Sequence, residues 1–251
     1  SLQIQYMIEN LAVAIMTNYA SFQLQREVSL WNKNMTWSPK HDELKERFVF
    51  ENYGKGMHIT WHDIGTKRWD VLRYLLGYLT RRNDAIRQPH PRQVVEIGVE
   101  SANTSVRLFT ADGSAAHHHH SGSDLKLHIG VDPYINRPAC WEKASRRLHQ
   151  FEGRSMLLRS TSDHAADLIA DKSMDLVFLD ARHDPGSVML DIHWWHPKVK
   201  PGGILAGHDF SWLYPGVGMA VCQMTRKIWL THPVQVNVAM DGVWWWHVPF
   251  E

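Results

Sequence analysis

The chain of 251 residues has little cysteine, little excess of either charge and no long apolar run, and each of these features excludes a class of protein. Its two cysteines, Cys140 and Cys222, are far apart and form no C-x-x-C motif, so we expect neither a disulfide framework nor a structural zinc site. Lysine plus arginine (27) nearly balances aspartate plus glutamate (26), so no general field attracts nucleic acid or an anionic membrane. A partner must therefore be recognised locally.

A membrane span of about 18 apolar residues is missing, and the first twenty residues mix glutamine, glutamate and asparagine into their apolar pattern. This composition argues against a membrane protein and against an intact signal peptide. A cytoplasmic location is favoured, although the chain begins with serine and a targeting segment removed upstream stays open. We expect a small molecule as partner, with neither nucleic acid nor membrane, and leave a homo-oligomer open.

Short apolar runs alternate with amphipathic helical patterns from about residue 90 onward, which is typical of βαβ units and a parallel sheet. The last of the helical patterns ends at a Pro-Gly-Gly turn, residues 201–203, before the final parallel strand. Near the C-terminus, two β-rich runs flank Asp241 and Gly242, a dipeptide that favours a hairpin. The predicted parallel strands are 94–99, 125–131, 155–158, 176–179 and 204–206.

Residues 1–89 lack this alternation and are predicted to be a helical N-terminal extension that covers one end of the sheet, with the main domain at 90–251. A helix is indicated in the extension by apolar residues at helical spacing, namely Trp69, Leu72, Leu76 and Leu79. Within the main domain, residues 111–124 place four histidines among glycine, serine and alanine. Such a segment is typical of a flexible surface insertion, and metal binding is the alternative.

A glycine turn and an acidic residue follow the first two predicted strands. Gly98 lies at the turn into a helix, where it lets a ligand approach the backbone, and Ser101 can cap that helix. Asp132 can accept hydrogen bonds from both hydroxyls of a ribose, and an acidic helix cap is the alternative. With residues 111–124 set aside, Gly98 and Asp132 are separated by roughly 20 residues, as in nucleotide-binding folds.

The residues after Gly98 lack the second and third glycines of the dinucleotide fingerprint G-x-G-x-x-G. A pyrophosphate would be poorly accommodated, so a nicotinamide-dependent oxidoreductase is the weaker interpretation. A ligand with a ribose and no phosphate, such as S-adenosylmethionine, fits better.

The glycine turn, Asp132, the segments MDLVFLDARHD and HPKVKPGGILAGHDF and the terminal hairpin together resemble a class I S-adenosylmethionine-dependent methyltransferase. More narrowly, Asp180-x-x-His183 followed by His208-Asp209 is similar to the macrocin O-methyltransferase-like family, which includes proteins labelled cephalosporin hydroxylase. The resemblance covers about residues 92–248. It implies a Rossmann-like α/β fold with a seven-stranded, mostly parallel sheet and a C-terminal antiparallel hairpin.

The resemblance also implies where the cofactor lies. Glu96 and Gly98 would face its methionine and ribose end, and Asp132 would hold the ribose. Thr161 occupies a turn that usually borders the adenine and often carries an acidic residue, a contact that Asp163 can take over. The predicted cofactor-binding residues are Glu96, Gly98, Ser101, Asp132, Thr161, Ser162, Asp163 and Asp180.

Asp180 and Asp209 match positions that bind a divalent cation in metal-dependent relatives, and His183 matches a proposed general base. Carboxylate oxygens suit Mg²⁺, which lowers the pKa of a bound hydroxyl, and a neutral imidazole can accept its proton. We therefore predict Asp180 and His183 as catalytic residues and Asp180 and Asp209 as metal ligands, with the need for Mg²⁺ left open. Relatives often read Asp-Gly-Asp-His, whereas Arg182 stands here beside the site and would repel a cation.

The predicted function is methyl transfer from S-adenosylmethionine to a small-molecule hydroxyl, on a sugar or a phenol. Two alternatives stay open: a fold relative that binds cofactor or partner without catalysis, and methyl transfer to an atom other than oxygen. In a purely structural interpretation, Asp180 caps a loop, His183 bonds the backbone and Asp209 pairs with Arg182.

Overall fold

An eight-stranded mixed sheet organises the described part of the chain, which in this computed structural model comprises residues 59–65, 67–86, 93–110, 125–229 and 234–250. The strands are β1 Ile59–His62, β2 Gln93–Ile97, β3 Leu127–Val131, β4 Ser155–Leu158, β5 Met174–Leu179, β6 Val199–Gly207, β7 Val236–Ala239 and β8 Trp244–His247. The helices are α1 Arg68–Ala85, α2 Asn103–Phe109, α3 Pro138–Leu148, α4 Ser162–Asp167, α5 Pro185–Trp195 and α6 Pro215–Trp229.

The strand order is β1-β7-β8-β6-β5-β2-β3-β4, and β8 runs antiparallel to both of its neighbours. From β2 the chain adds strands toward β3 and β4 on one side, and then toward β5 and β6 on the other. In open α/β sheets, ligands bind outside the carboxyl ends of the strands where the order reverses. A ligand site is therefore expected at the carboxyl ends of β2 and β5.

Two apolar layers cover the two faces of the sheet. α1, α2 and α3 pack on one face, and α4, α5 and α6 pack on the other. Because both faces are covered, β8 buries all three of its tryptophans, Trp244, Trp245 and Trp246. Each fully buried large apolar side chain contributes about 1.5–3 kcal/mol relative to an exposed one.

The predicted fold class is confirmed, with one strand more than the seven that were predicted. β1 supplies the eighth strand and pairs parallel with β7, so that Ile59 lies opposite Val236. β1 belongs to residues 1–89, where α1 is the helix that carries the predicted apolar stripe. The boundary near residue 90 stays a prediction, and both residues 1–58 and the histidine-rich segment 111–124 lie outside the described residues.

The Pro-Gly-Gly segment does not precede the fifth parallel strand but lies inside it. β6 begins at Val199, and its pairing with β5 changes register between Met174 and Leu176. The prediction of a separating turn was wrong because an irregularity in the ladder accommodates proline and glycine within a strand.

None of the helices in the described ranges combines the length and the apolar character that a bilayer span requires.

Candidate functional site

The carboxyl ends of β2 and β5 meet at Gly98. Its backbone φ is +91°, and its amide donates a hydrogen bond of 2.8 Å to the carbonyl of Val131. A methyl group on this residue would overlap the backbone carbonyl of Asp180. Glycine is therefore required here both by the dihedral angle and by the close approach of the neighbouring strand.

Asp132 follows β3 and fastens the glycine turn to that strand. One carboxylate oxygen accepts from the amide of Glu100 and the other from the amide of Tyr134, each at 2.9 Å. These amides lie outside α3, so the contacts differ from those of a helix cap. A carboxylate oxygen has two lone pairs, which leaves Asp132 able to accept hydrogen bonds from ribose hydroxyls.

Glu96 lies in the buried interior rather than at the rim of the cleft. It is 1% exposed, accepts a hydrogen bond from the hydroxyl of Ser105 and lies 3.1 Å from Nε2 of His128. These two partners satisfy one of its carboxylate oxygens and hold β2, β3 and α2 together. A cofactor contact by Glu96 stays a prediction.

The expectation that Ser101 caps the helix after the glycine turn is wrong. The N-cap of α2 is Ala102, in the left-handed conformation and without a side-chain cap bond. Glu100 also has a positive φ, so the turn is longer than a simple capped entry and the helix begins at Asn103. Ser101 is buried, its carbonyl accepts from Arg147, and its cofactor contact stays a prediction.

The residues predicted to border the adenine lie at the start of α4. Thr161 is the N-cap position, and a hydrogen bond from its side chain holds the pKa of the exposed Asp163 below its usual range. The hydroxyl of Ser162 donates a hydrogen bond to the carboxylate of Asp191 in α5. It also accepts a hydrogen bond of 2.8 Å from the indole N–H of Trp195.

Asp191 is a site residue that the sequence analysis missed. It lines the cleft, and its burial raises the pKa of the carboxyl to about 6. The available signal was one acidic residue on the apolar face of a helix that also carries Val188, Ile192 and Trp195.

Asp180, His183 and Asp209 are brought together at the ends of β5 and β6. Nε2 of His183 lies 2.8 Å from Oδ2 of Asp209. Nδ1 of His208 lies 3.0 Å from Oδ1 of Asp209 and 3.8 Å from Oδ1 of Asp180. Asp209 has a φ of +61°, a left-handed conformation that aspartate tolerates better than most residues. Among the described residues, Asp180, His183 and Asp209 each offer one ligand atom within 4.8 Å of the others.

The carboxylates at this end of the sheet differ in their acidity. Burial raises the pKa of Asp180 to about 6, against the opposing effects of Arg68 and His208. Burial also acts to raise the pKa of Asp209, but its contacts with His208 and His183 outweigh this and the pKa is lowered. Asp209 is therefore the carboxylate that stays ionised most readily.

Of two arginines near the cluster, one contacts a carboxylate of the cluster and the other does not. Arg182 is 76% exposed and pairs with Asp184 at 2.8 Å, so the pair with Asp209 that a structural interpretation required is not formed. Arg68, at the start of α1, instead contacts Asp180. The sequence analysis missed Arg68 because nothing in the local pattern indicates where α1 packs.

An aromatic rim borders the cluster. The ring of Tyr214 stacks on that of His183 with centroids 4.2 Å apart and planes 29° apart. Trp212 and Leu213 precede it in the loop after β6, and both are exposed. Val188 and Trp244 contribute apolar atoms to the cleft that Asp180 and His183 line.

Comparison with known sequences matches the central part of the chain to a protein family. Residues 95–210 match the sequence model of a family described as a methyltransferase domain. A curated relative, the uncharacterized protein y4gI of Sinorhizobium fredii, is 37% identical over 70 residues. That segment is 28% of this chain and 8% of the relative, so the match spans a small part of that protein's length.

The chain is similar to solved structures at low sequence identity, and one of them shows the same fold. A protein from Corynebacterium glutamicum superposes with a TM-score of 0.52 at 12% identity, covering 92% of this chain and 98% of that one. An O-methyltransferase from Bacillus cereus in complex with SAH has a TM-score of 0.47 at 13% identity, covering 80% of this chain and 90% of that one. The similarity to the Corynebacterium glutamicum protein concerns the fold alone.

Proposed function

We infer that this chain, whose residues 95–210 match a methyltransferase-domain family, is a class I enzyme that transfers the methyl group of S-adenosylmethionine to a hydroxyl group of a small molecule. The observation that supports this most directly is the contact of 2.8 Å between His183 and Asp209 beside the point where the strand order reverses. An imidazole held by an ionised carboxylate is suited to remove a proton from an acceptor.

Cofactor binding is proposed at the glycine turn and Asp132. The turn at Gly98 leaves the backbone accessible, and Asp132 is held in place by two backbone amides. When bound, the cofactor supplies an electrophilic methyl group on a sulfonium centre. The chain's own part is to fix the ribose through Asp132 and to place the acceptor near Asp180 and His183.

The acid–base step is assigned to His183. With Nε2 donating its hydrogen to Asp209, Nδ1 is left as the acceptor for the proton of a substrate hydroxyl. Asp209 then stabilises the imidazolium, a role that its lowered pKa favours. The stacked ring of Tyr214 limits rotation of the imidazole.

A ring-shaped acceptor, on a sugar or a phenol, is supported by the aromatic rim. Trp212 and Tyr214 are 40% and 38% exposed, and the ring of Tyr214 lies against that of His183. Aromatic faces bind planar rings and the C–H faces of sugars. A narrower kinship with the macrocin O-methyltransferase-like family rests on Asp180-x-x-His183 and His208-Asp209.

Divalent-metal assistance, with Asp180 and Asp209 as ligands, is not part of the acid–base step. One oxygen of Asp180 and both oxygens of Asp209 already have partners, and proton removal by His183 needs no cation. Transfer to nitrogen or sulfur, and a role in binding without catalysis, are the remaining alternatives.

Replacement His183→Ala tests the assignment. With methyl-labelled S-adenosylmethionine and a panel of simple phenols and monosaccharide glycosides, we expect turnover to fall by about 10²–10⁴-fold. Binding of S-adenosylhomocysteine should stay unchanged, and His149→Ala, an exposed histidine after α3, should behave as the wild type. Unchanged turnover in His183→Ala would contradict the base assignment. A methylated amine or thiol as product would favour the alternative acceptors.

A further inference from the structure

Arg68 is the first residue of α1, and its guanidinium reaches the open end of the sheet. Nη1 of Arg68 contacts Oδ2 of Asp180, and the two side chains are 35% and 8% exposed. The residues are 112 positions apart in the sequence, so this ion pair depends on how α1 packs. The acid–base step proposed above does not use Arg68.

The apolar face of α1 fixes the position of the guanidinium. Leu72 and Leu75 are fully buried and share a core layer with Leu176 and Phe178 of β5, the strand that ends at the paired carboxylate. Helix and strand therefore contribute to the same apolar layer. The ion pair forms where α1 begins and β5 ends, one helix turn before the buried Leu72.

Three of the four carboxylate oxygens that a divalent cation would need already have partners. Oδ2 of Asp180 contacts Arg68, while Oδ2 and Oδ1 of Asp209 lie 2.8 Å from His183 and 3.0 Å from His208. A guanidinium is a permanent positive charge under physiological conditions. The site as it stands does not fit a cation, because the guanidinium of Arg68 already occupies the side of Asp180 that a cation would need.

We propose that Arg68 takes the place of a divalent cation, so that the cluster of Asp180, His183 and Asp209 works with an internal guanidinium. The permanent charge holds Asp180 in place and offsets the negative charge that develops on an acceptor oxygen as His183 takes its proton. Arg68 acts through Asp180 and is therefore a positioning residue. This role rests on the proposed function, whereas the exclusion of a cation does not.

Removal of the guanidinium should convert the cluster into a cation site. Arg68→Ala leaves Asp180, His183 and Asp209 with three ligand atoms within 4.8 Å of one another. The probe is Mn²⁺ alone, titrated without cofactor or acceptor and followed by loss of the electron paramagnetic resonance signal of the free ion. We expect one Mn²⁺ per chain of the variant, bound at least about tenfold more tightly than by the wild type.

Three matched variants locate the effect. Arg68→Lys keeps a cation beside Asp180 and should restore the wild-type behaviour. The double variant Arg68→Ala, Asp180→Asn removes a ligand and should lose the Mn²⁺ gained by the single variant. Arg73→Ala, on the same helix, removes a guanidinium that contacts the carbonyls of Arg107 and Thr110 and should bind no Mn²⁺.

Two results would overturn the proposal. One is stoichiometric Mn²⁺ binding by the wild type that Asp180→Asn abolishes, and the other is a folded Arg68→Ala chain that binds no more Mn²⁺ than the wild type. If Arg68→Ala does not fold, Arg68→Gln replaces it and the wild-type titration still decides. Since no methyl transfer enters this measurement, its outcome is separate from that of the proposed function.

Discussion

The two halves of the open end of the sheet are held together in different ways. In the cofactor half, Asp132 is fixed by backbone amides of residues in its own and the adjacent turn. In the catalytic half, Asp180 and Asp209 are fixed by charged or titratable side chains that come from other elements, including Arg68 from α1. Backbone amides are present whatever the residue type, whereas side-chain partners must be supplied by the sequence.

This difference predicts how each half responds to substitution. A half that is held by backbone groups is sensitive to changes in backbone shape, because the donors move with the turn. A half that is held by charges is sensitive to the removal of one partner, because the other is left buried without compensation. Gly98 belongs to both halves, since its turn in the cofactor half lies against the carbonyl of Asp180.

Gly98→Ala should give the largest effect. The added methyl group would overlap the backbone of Asp180 at a φ of +91°, so we expect a loss of about 3 kcal/mol or more in the free energy of unfolding. The matched control is Gly153→Ala, which has a φ of +83° but open space around the added methyl group and should cost only about 1 kcal/mol. Urea denaturation measures both. Equal losses would show that the two halves are not in close contact at Gly98.

Asp191→Asn should have a smaller effect, at a residue of the cleft whose hydrogen-bond partner Ser162 comes from another helix. The pKa of Asp191 is raised from 3.8 to about 6, so the folded state binds a proton more tightly than the unfolded state. In the wild type, the contribution of Asp191 to the free energy of unfolding is therefore lost as pH rises from about 4 to about 6. The free energy of unfolding of Asp191→Asn relative to wild type should rise over that window, by at most about 3 kcal/mol.

Asp184→Asn should change stability with pH in the opposite direction from Asp191→Asn. The contacts of Asp184 with Ser187 and Arg182 lower its pKa against the effect of burial, so its contribution to stability is present at neutral pH and is lost as pH falls. The relative stability of this variant should therefore fall as pH rises. Urea denaturation at several pH values distinguishes the two variants, and slopes of the same sign would contradict the assignment for Asp191.

The sequence predicted those features that depend on local pattern. Apolar runs located the parallel strands, and the Asp-Gly dipeptide located the hairpin between β7 and β8. The resemblance to metal-dependent methyltransferases predicted Asp180 and Asp209 as a pair, and the structure places them in one cluster. β1 escaped prediction because four residues carry too little periodicity to distinguish a strand.

Contacts between distant elements could not be predicted. The pairing of Arg68 with Asp180 depends on the packing of α1, and the burial of Asp191 depends on which face of α5 meets the sheet. Local sequence fixes neither. The prediction of Ser101 as the cap of α2 was wrong for another reason. Glu100 and Ala102 adopt left-handed conformations that lengthen the turn, and residue types alone do not show this.

Calorimetric titration with S-adenosylhomocysteine tests the central claim most directly, and it should be run on the wild type, Asp132→Asn and the surface control Asp171→Asn, with NAD as the comparison ligand. We expect micromolar binding to the wild type and to Asp171→Asn, and no heat with NAD. Loss of one carboxylate oxygen facing the ribose should weaken binding to Asp132→Asn by about tenfold, the equivalent of roughly one charged hydrogen bond. A wild-type chain that is folded and binds no S-adenosylhomocysteine would contradict the account.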